Sequence, residues 1–316
     1  MVSNNLTESR TNQTKPKFSV VLQTNAIQKL INNTLGDPKK AQRFVTSISS
    51  AVATNPALQE CDNYSIINSA LLGETLELSP SPQLGHYYMV PYNDKRKGKV
   101  ATFQLGYKGY IQLAIRSGQY KAINVIDVKE GELVKYDRLS ETIVLDFIED
   151  EETREETKTI GYCAMFELVN GFRKMIYWTK DKMIRHADKY SQAFSMNAVN
   201  DTNPKKCKVS FEDYEAGNYP PGDSWKYSSF WYKDFDGMAF KTMLRQLISK
   251  WGIMSIQMQS AFEGDMTFRD ESGNTSYVEE AYEENRSNVA EDVEVTEHAP
   301  DETRDESNGE DGVTLL

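Results

Sequence analysis

Leu105-Gly106-Tyr107-Lys108-Gly109-Tyr110-Ile111-Gln112-Leu113-Ala114-Ile115-Arg116-Ser117-Gly118 is the stretch around which this chain is organised. The run before it, Lys99–Leu105, is β-rich, two glycines bound a corner, and helical spacing follows up to a glycine stop. The stretch therefore reads as strand, corner and short helix. At 3.6 residues per turn Tyr107, Tyr110, Ile111, Ala114 and Ile115 gather on one side. Lys108, Gln112 and Arg116 line another, which sets the two cations about 12 Å apart along the axis. This is either an amphipathic helix with a solvated face or a rigid corner that holds two cations toward a polyanion. Periodicity alone fits both.

Upstream, residues 1–16 are polar, dominated by Asn, Thr and Ser, and are expected to be disordered. A short helix is expected over Phe18–Ile31, stopped near Gly36-Asp37-Pro38. Pro38 suits a helix start, and Ala41, Phe44, Val45, Ile48 and Val52 follow at helical spacing before Pro56. Ile66, Ile67, Ala70, Leu71, Leu72 and Leu76 mark another helix over Asn63–Leu76. Gly85–Tyr92 and Lys99–Leu105 are β-rich runs joined by Asn93-Asp94-Lys95-Arg96-Lys97-Gly98, a turn that is also a basic cluster. Such a tip can track a phosphate backbone or simply solubilise a turn. His86 is a lone histidine, read as a strand residue hydrogen-bonded near the surface rather than a catalytic group.

Downstream, strands are expected over Ala122–Val128, Glu132–Tyr136, Ile143–Ile148, Ile160–Val169 and Phe172–Trp178. The acidic run Glu149–Glu156 reads as a surface loop kept away from any groove, because it would repel phosphate. Thr179 caps a helix on which Lys182, Arg185, His186 and Lys189 share one side. Gln192–Gly222 is polar and reads as a mobile loop. Trp225, Tyr227, Phe230, Trp231, Tyr232 and Phe235 follow, interleaved with Lys226 and Lys233. Core packing suits most of them and base stacking suits some. In the helix Phe235–Trp251 two apolar stripes flank Lys241 and Arg245, which sit one turn apart. Cations so placed need a phosphate or a buried carboxylate.

The 316 residues suffice for a full core in one or two domains. A net charge of −11 argues at first against nucleic acid, but its distribution does not. Residues 263–316 hold 18 acidic and 3 basic residues, net −15, which leaves residues 1–262 at +4. The run Asp146–Thr159 is itself −5, so the rest of the body stands at +9. A basic body with an acidic tail suits a polyanion-binding domain whose tail is solvated or autoinhibitory. The 3 cysteines, Cys61, Cys163 and Cys207, form no C-x-x-C pair, so neither a disulfide framework nor a zinc site is expected. There is no G-x-x-x-x-G-K-[ST] loop, no H-E-x-x-H and no G-x-S-x-G. Asp127-Val128-Lys129 is reminiscent of a nuclease carboxylate–lysine pair, yet no acid follows at a convincing spacing. Nothing resembles a signal peptide or a membrane span, and a cytoplasmic protein is expected.

Leu105-Gly-Tyr-Lys-Gly-Tyr-Ile with Leu113-Ala-Ile-Arg-Ser-Gly118 resembles the signature of the RecT family, the phage and prophage single-strand annealing recombinases. Asn55-Pro56-Ala-Leu through Cys61-Asp62, Leu76-Glu-Leu78, Leu84-Gly-His86 and Pro91-Tyr92 are similar to that family's N-terminal half. Phe235-Asp-Gly-Met-Ala-Phe-Lys-Thr-Met-Leu-Arg-Gln-Leu247 is similar to its W-x-x-M-A-x-K-T-x-x-R-x-L helix. The chain departs from that pattern at Gly237 and Phe240, where an acid and a second lysine are common.

The resemblance implies an α+β fold: a small twisted antiparallel sheet with crossing helices, an N-terminal helical lobe and a disordered acidic C-terminal tail. The expected limits are a disordered residues 1–16, an annealing domain over 17–262 (helical lobe about 17–80, β-rich core about 81–262), and a tail over 263–316. The implied function is ATP-independent binding and annealing of single-stranded DNA in homologous recombination, without catalysis, metal or cofactor, by a ring or helical filament of many copies. Lys108, Arg116, Lys241 and Arg245 are the first candidates for DNA-backbone contact, then Lys182, Arg185 and Lys189, then the turn Lys95, Arg96 and Lys97. Tyr107 is a candidate for packing on a base or sugar, or equally a core anchor. Expected partners are single-stranded and annealed duplex DNA, further copies of the chain, and a phage exonuclease and host single-strand-binding protein through the acidic tail. The competing readings are a structure-specific DNA nuclease and a structural assembly protein that ignores DNA.

Overall fold

A computed structural model describes residues 15–94, 97–191, 194, 207–269 and 275–277. The first helical stretch is broken in two, α1 (Phe18–Leu22) and α2 (Asn25–Leu35). The reason lies in the side chains between them. The Thr24 hydroxyl donates to the Val21 carbonyl and the Gln28 amide to the Leu22 carbonyl, so these groups satisfy the carbonyls that a continuous helix would have used. Gly36, at φ 65°, closes α2 in the left-handed conformation. Asp37 accepts the Lys39 amide at 2.8 Å and Pro38 sits at the first position, which starts α3 (Pro38–Thr54). After α4 (Pro56–Gln59), Asp62 caps α5 (Asn63–Thr75).

α5 is buried on most sides because it lies under a hairpin. β1 (Tyr87–Asp94) and β2 (Gly98–Leu105) pair antiparallel from Tyr87↔Leu105 to Asp94↔Gly98. The Ser65 hydroxyl accepts the Ala101 amide at 2.8 Å and the Ser69 hydroxyl donates to the Ala101 carbonyl at 2.9 Å. Gly73 lies directly on the Tyr87 ring, where any Cβ would come within 2.3 Å. Helix and hairpin are thus fixed together by both polar and apolar contact.

α6 (Tyr107–Arg116) follows the hairpin and leads into β3 (Tyr120–Lys129), β4 (Leu133–Asp137) and β5 (Thr142–Leu145). Then come α7 (Glu151–Glu156), β6 (Thr159–Leu168), β7 (Arg173–Thr179) and α8 (Lys180–Tyr190). β3, β6 and β7 form an antiparallel sheet in that order, and β4–β5 is a separate ribbon. The alternation along β6 sorts two layers. Tyr162, Ala164 and Phe166 join the main core, whereas Cys163 packs with Val128 and Tyr177 beneath the ribbon. The acidic run is not a loop as expected: Asp150 caps it, and it coils into α7, which Arg154 anchors inward.

α9 (Phe211–Glu215), a 3₁₀ turn over Pro221–Tyr227 and α10 (Phe230–Lys233) lie within or just after the stretch expected to be a mobile loop. Phe194, Phe211, Tyr214, Tyr227, Tyr232 and Phe235 stack on one another there, and this aromatic packing accounts for the order of residues 207–222. Residues 192–193 and 195–206 lie outside the described residues. α11 (Phe235–Trp251) is the central helix, with Ala239, Met243, Leu244, Leu247 and Ile248 fully buried against α6 and the three-stranded sheet.

Order also continues past Phe262. α12 (Ile256–Gly264) turns at Asp265 and Met266 into β8 (Thr267–Arg269), which pairs with β2 at Phe103↔Thr267, and β9 (Thr275–Tyr277) adds to β8. The fold is α+β, with its strands shared among three antiparallel sheets. The disorder expected of residues 1–14 and 278–316 concerns residues outside those described.

Candidate nucleic-acid interface

The corner is made by close backbone approach. The Gly106 amide donates to the His86 carbonyl at 2.9 Å, and a Cβ on Gly109 would stand 2.1 Å from that same oxygen. A Cβ on Gly106 would meet the Gly85 carbonyl at 2.2 Å. Both glycines are therefore required for α6 to sit on the strand entry. The buried face of α6 is Gly109, Tyr110, Leu113 and Ala114. Ile115, expected inside, is 57% exposed, and Leu113 takes its place, because the notch between the hairpin and α11 admits the helix by its glycine side. Tyr107 is half-buried with its ring 5.5 Å from Phe240, edge to face.

The two cations of α6 differ. Lys108 is exposed, its stem against Gly85. Arg116 donates to the Leu76 carbonyl at 2.6 Å and to Glu77 Oε2 at 3.2 Å, so it closes the end of the segment after α5. Glu77 adopts φ 55° there.

Lys241 and Arg245 meet the second of the two partners open to them. Lys241 Nζ lies 3.0 Å from Asp265 Oδ1 and Arg245 NH1 lies 2.8 Å from Asp265 Oδ2. The Leu105 amide donates to Asp265 Oδ1 at 2.9 Å, and the Tyr110 hydroxyl lies 3.3 Å from Oδ2. One buried carboxylate thus ties α11, α6, β2 and the turn after α12. The sequence alone hid Asp265 inside an acidic tail. The signal for it was the cationic stripe of α11 itself, which demanded a buried acid from elsewhere in the chain.

Above this latch a cleft of about 490 Å³ opens between β1, α8, α10 and α11. Tyr92, His186, Tyr190, Phe230 and Lys233 line its sides, and Lys241, Arg245 and Asp265 lie at its floor. Phe230, 43% exposed and 6.1 Å from the Tyr88 ring, separates it from a smaller recess of about 50 Å³ that reaches Gly106 and Tyr107. Lys233 is exposed beside it. On α8, capped by Thr179 as expected, Lys182, Arg185 and Lys189 are exposed. Lys182 Nζ stands 4.0 Å from the Trp178 ring centre and Lys189 Nζ 4.8 Å from that of Tyr190. Of the aromatic run, Tyr227, Trp231, Tyr232 and Phe235 are core, and Phe230 and Trp225 are exposed. At the hairpin tip Lys97 is exposed and its amide donates to Asp94 Oδ1 at 2.7 Å. Lys95 and Arg96 lie outside the described residues.

The Asp127–Lys129 pair acquires an acidic neighbour, Glu132, from the next turn of chain. Arg154 bridges them, its Nε 2.7 Å from Glu132 Oε1 and its NH2 3.3 Å from Asp127 Oδ1, while Lys129 Nζ lies 2.9 Å from Asp127 Oδ2. Burial alone would raise the Asp127 and Glu132 pKa values. The hydrogen bonds and charges of Lys129 and Arg154 at Asp127, and of Arg154 and the Lys129 amide at Glu132, hold them below the usual carboxylate range. These carboxylates are saturated by cations and amides, as in a structural cluster. Among the described residues no group of three or more His, Cys, Asp or Glu could hold a metal ion, and no helix is long and apolar enough to cross a membrane.

Comparison with known proteins bears on the whole arrangement. A model of the RecT family matches residues 42–289, a span that includes the α6 corner, α11 and Asp265. The uncharacterized protein YqaK of Bacillus subtilis (strain 168) is 40% identical over 241 residues, which cover 76% of this chain and 69% of that protein. Protein RecT of Escherichia coli (strain K12) is 34% identical over 95 residues, 29% of this chain and 35% of that protein. The chain belongs to the RecT family of phage and prophage single-strand annealing recombinases.

Proposed function

We infer that this protein grips single-stranded DNA along the cleft and the exposed face of α6, and pairs complementary strands without nucleotide hydrolysis. The observation that carries the reading is the division of charge. On the cleft floor Lys241 and Arg245 are both held by the one carboxylate of Asp265, whereas Lys233 on the cleft wall, Lys108 on α6, and Lys182, Arg185 and Lys189 on α8 stand exposed. Such an arrangement suits a strand whose phosphates follow the rim and whose bases lie along, or project from, the cleft. Backbone contacts leave base edges free for a partner strand. Lys241 and Arg245 act here as the scaffold beneath the rim, with the rim cations making the contacts.

Many copies side by side supply the length that one cleft lacks, and a head-to-tail interface generates the ring or filament. The sequence carries no phosphate-binding loop, in keeping with annealing independent of ATP. The exonuclease and single-strand-binding partners are proposed for the acidic residues 278–316. The test is direct. Complementary oligonucleotides should pair faster with the protein than in buffer, with neither ATP nor magnesium, and labelled single strands should survive incubation with magnesium intact. Unchanged pairing rates overturn the reading, and cleavage products favour a nuclease instead.

A further inference from the structure

We propose that His86 is an uncharged phosphate ligand standing between Lys108 and Arg116, donating Nε2–H to a phosphodiester oxygen of the bound strand. This rests on the DNA-binding reading above and adds a residue to it. His86 is fixed by its backbone: its carbonyl accepts the Gly106 amide at 2.9 Å and lies against Gly109 in the first turn of α6. On one side the stem of Lys108 crosses Gly85, the residue before it, where a Cβ would stand 3.4 Å from Lys108 Cδ. On the other side Arg116 holds the Leu76 carbonyl and Glu77. Two residues further on, the Ser79 amide donates to His86 Nδ1 at 3.3 Å.

That last bond selects the tautomer. With Nδ1 accepting, the neutral ring carries its proton on Nε2, and among the described residues nothing accepts that proton. The ring is half-buried, and burial first, then the charges of Arg116 and Lys108, hold its pKa below the ordinary value. The charged groups around it are those two cations of α6 and Glu77, which Arg116 already engages. A second proton on Nδ1 would also face the Ser79 N–H. The imidazole is therefore a neutral donor at pH 7. A phosphodiester oxygen supplies what this place lacks, an acceptor for Nε2–H, and brings a negative charge beside Lys108.

The test uses the full chain and a labelled oligothymidylate, read by fluorescence anisotropy. His86→Asn keeps an acceptor for the Ser79 amide near the Nδ1 position but removes the donor at Nε2, whereas His86→Gln sets an amide nitrogen near the Nε2 position. Binding should weaken about tenfold in His86→Asn and stay within about twofold of wild type in His86→Gln, with unchanged melting temperatures. Because no charge is lost, the slope of log affinity against log salt at pH 7.5 should be unaltered in both variants. Wild-type binding by His86→Asn, equal loss in both variants, or a slope lowered by about one overturns the proposal. Lys108→Ala separates the two inferences. It should lower the slope by about one, and if it binds unchanged the DNA face itself is misplaced, whatever His86 does.

Discussion

Asp265 Oδ2 lies 2.8 Å from Arg245 NH1, at a residue only 1% exposed, and its other oxygen lies 3.0 Å from Lys241 Nζ. The pair is held from two elements that the sequence separates by 20 residues. Removing one partner of such a group strands the rest. Asp265→Ala would remove the carboxylate that Lys241, Arg245 and the Leu105 amide share, and should cost about 3–5 kcal/mol. Urea denaturation checks this. A loss under about 0.5 kcal/mol would mean that water or a neighbouring carbonyl replaces the carboxylate, and that the latch is incidental.

The same latch predicts a domain boundary beyond Phe262. A chain ended at Phe262 lacks Asp265 and β8, so β2 loses its neighbour at Phe103↔Thr267 and α11 loses its counter-ion. A chain ended after Tyr277 keeps both. The shorter form should melt well below the longer one, and the longer form should melt with the full chain. Equal melting of the two truncations would return the boundary to Phe262.

Much of this was legible because local rules and tertiary packing agree. Asp37-Pro38 starts α3, Thr179 caps α8, and Gly106 and Gly109 mark the α6 corner, each for a reason visible in a few neighbouring residues. Asp265 was not legible, because nothing local distinguishes it from the acids that follow; only Lys241 and Arg245, distant in sequence, give it a place. α7 was missed for a related reason. Its charge pattern reads as solvated loop, and Arg154 makes it a helix by reaching back to Glu132 and Asp127. Phe230 and Trp231 are neighbours of like chemistry, and only the fold sends one to the surface and one to the core.

The corner makes a sharp comparison between two glycines. Gly118 has φ 68° and open space around it, so Gly118→Ala should cost about 1 kcal/mol through backbone strain alone. Gly109→Ala must displace the His86 carbonyl, which an added Cβ would approach to 2.1 Å, and should cost about 3 kcal/mol with a loss of DNA binding. Thermal melts of the two variants decide. If Gly109→Ala is the milder of the two, the close approach of α6 to the strand entry is not what fixes the corner.

The Asp127–Arg154–Glu132 cluster predicts an acid dependence of stability. Both carboxyls ionise at lower pH in the folded state than in the unfolded chain. They therefore contribute stability that is fully present above the ordinary carboxylate range and is lost as pH falls below that range through their folded values. Arg154→Met removes the cation while keeping much of the stem. The variant should be less stable at pH 7 and should unfold at a higher pH on acidification than wild type, followed by circular dichroism. A variant with the wild-type acid midpoint would show that Lys129 and the backbone amides suffice.

Phe230 and Trp231 offer the clearest separation of binding from folding. Trp231 is 6% exposed and packs on Phe235 with ring centres 5.3 Å apart, so Trp231→Ala should cost about 3–5 kcal/mol of stability. Phe230 stands at the junction of the cleft and the smaller recess, 43% exposed, with one side against Tyr88. A base stacked on its open side would lose about 1–3 kcal/mol of binding in Phe230→Ala while the melting temperature stays near wild type. The salt slope should not change, because a ring releases no counterions. Affinity for single strands equal to wild type in a folded Phe230→Ala would take base stacking out of this cleft and leave the rim cations as its only hold on the strand.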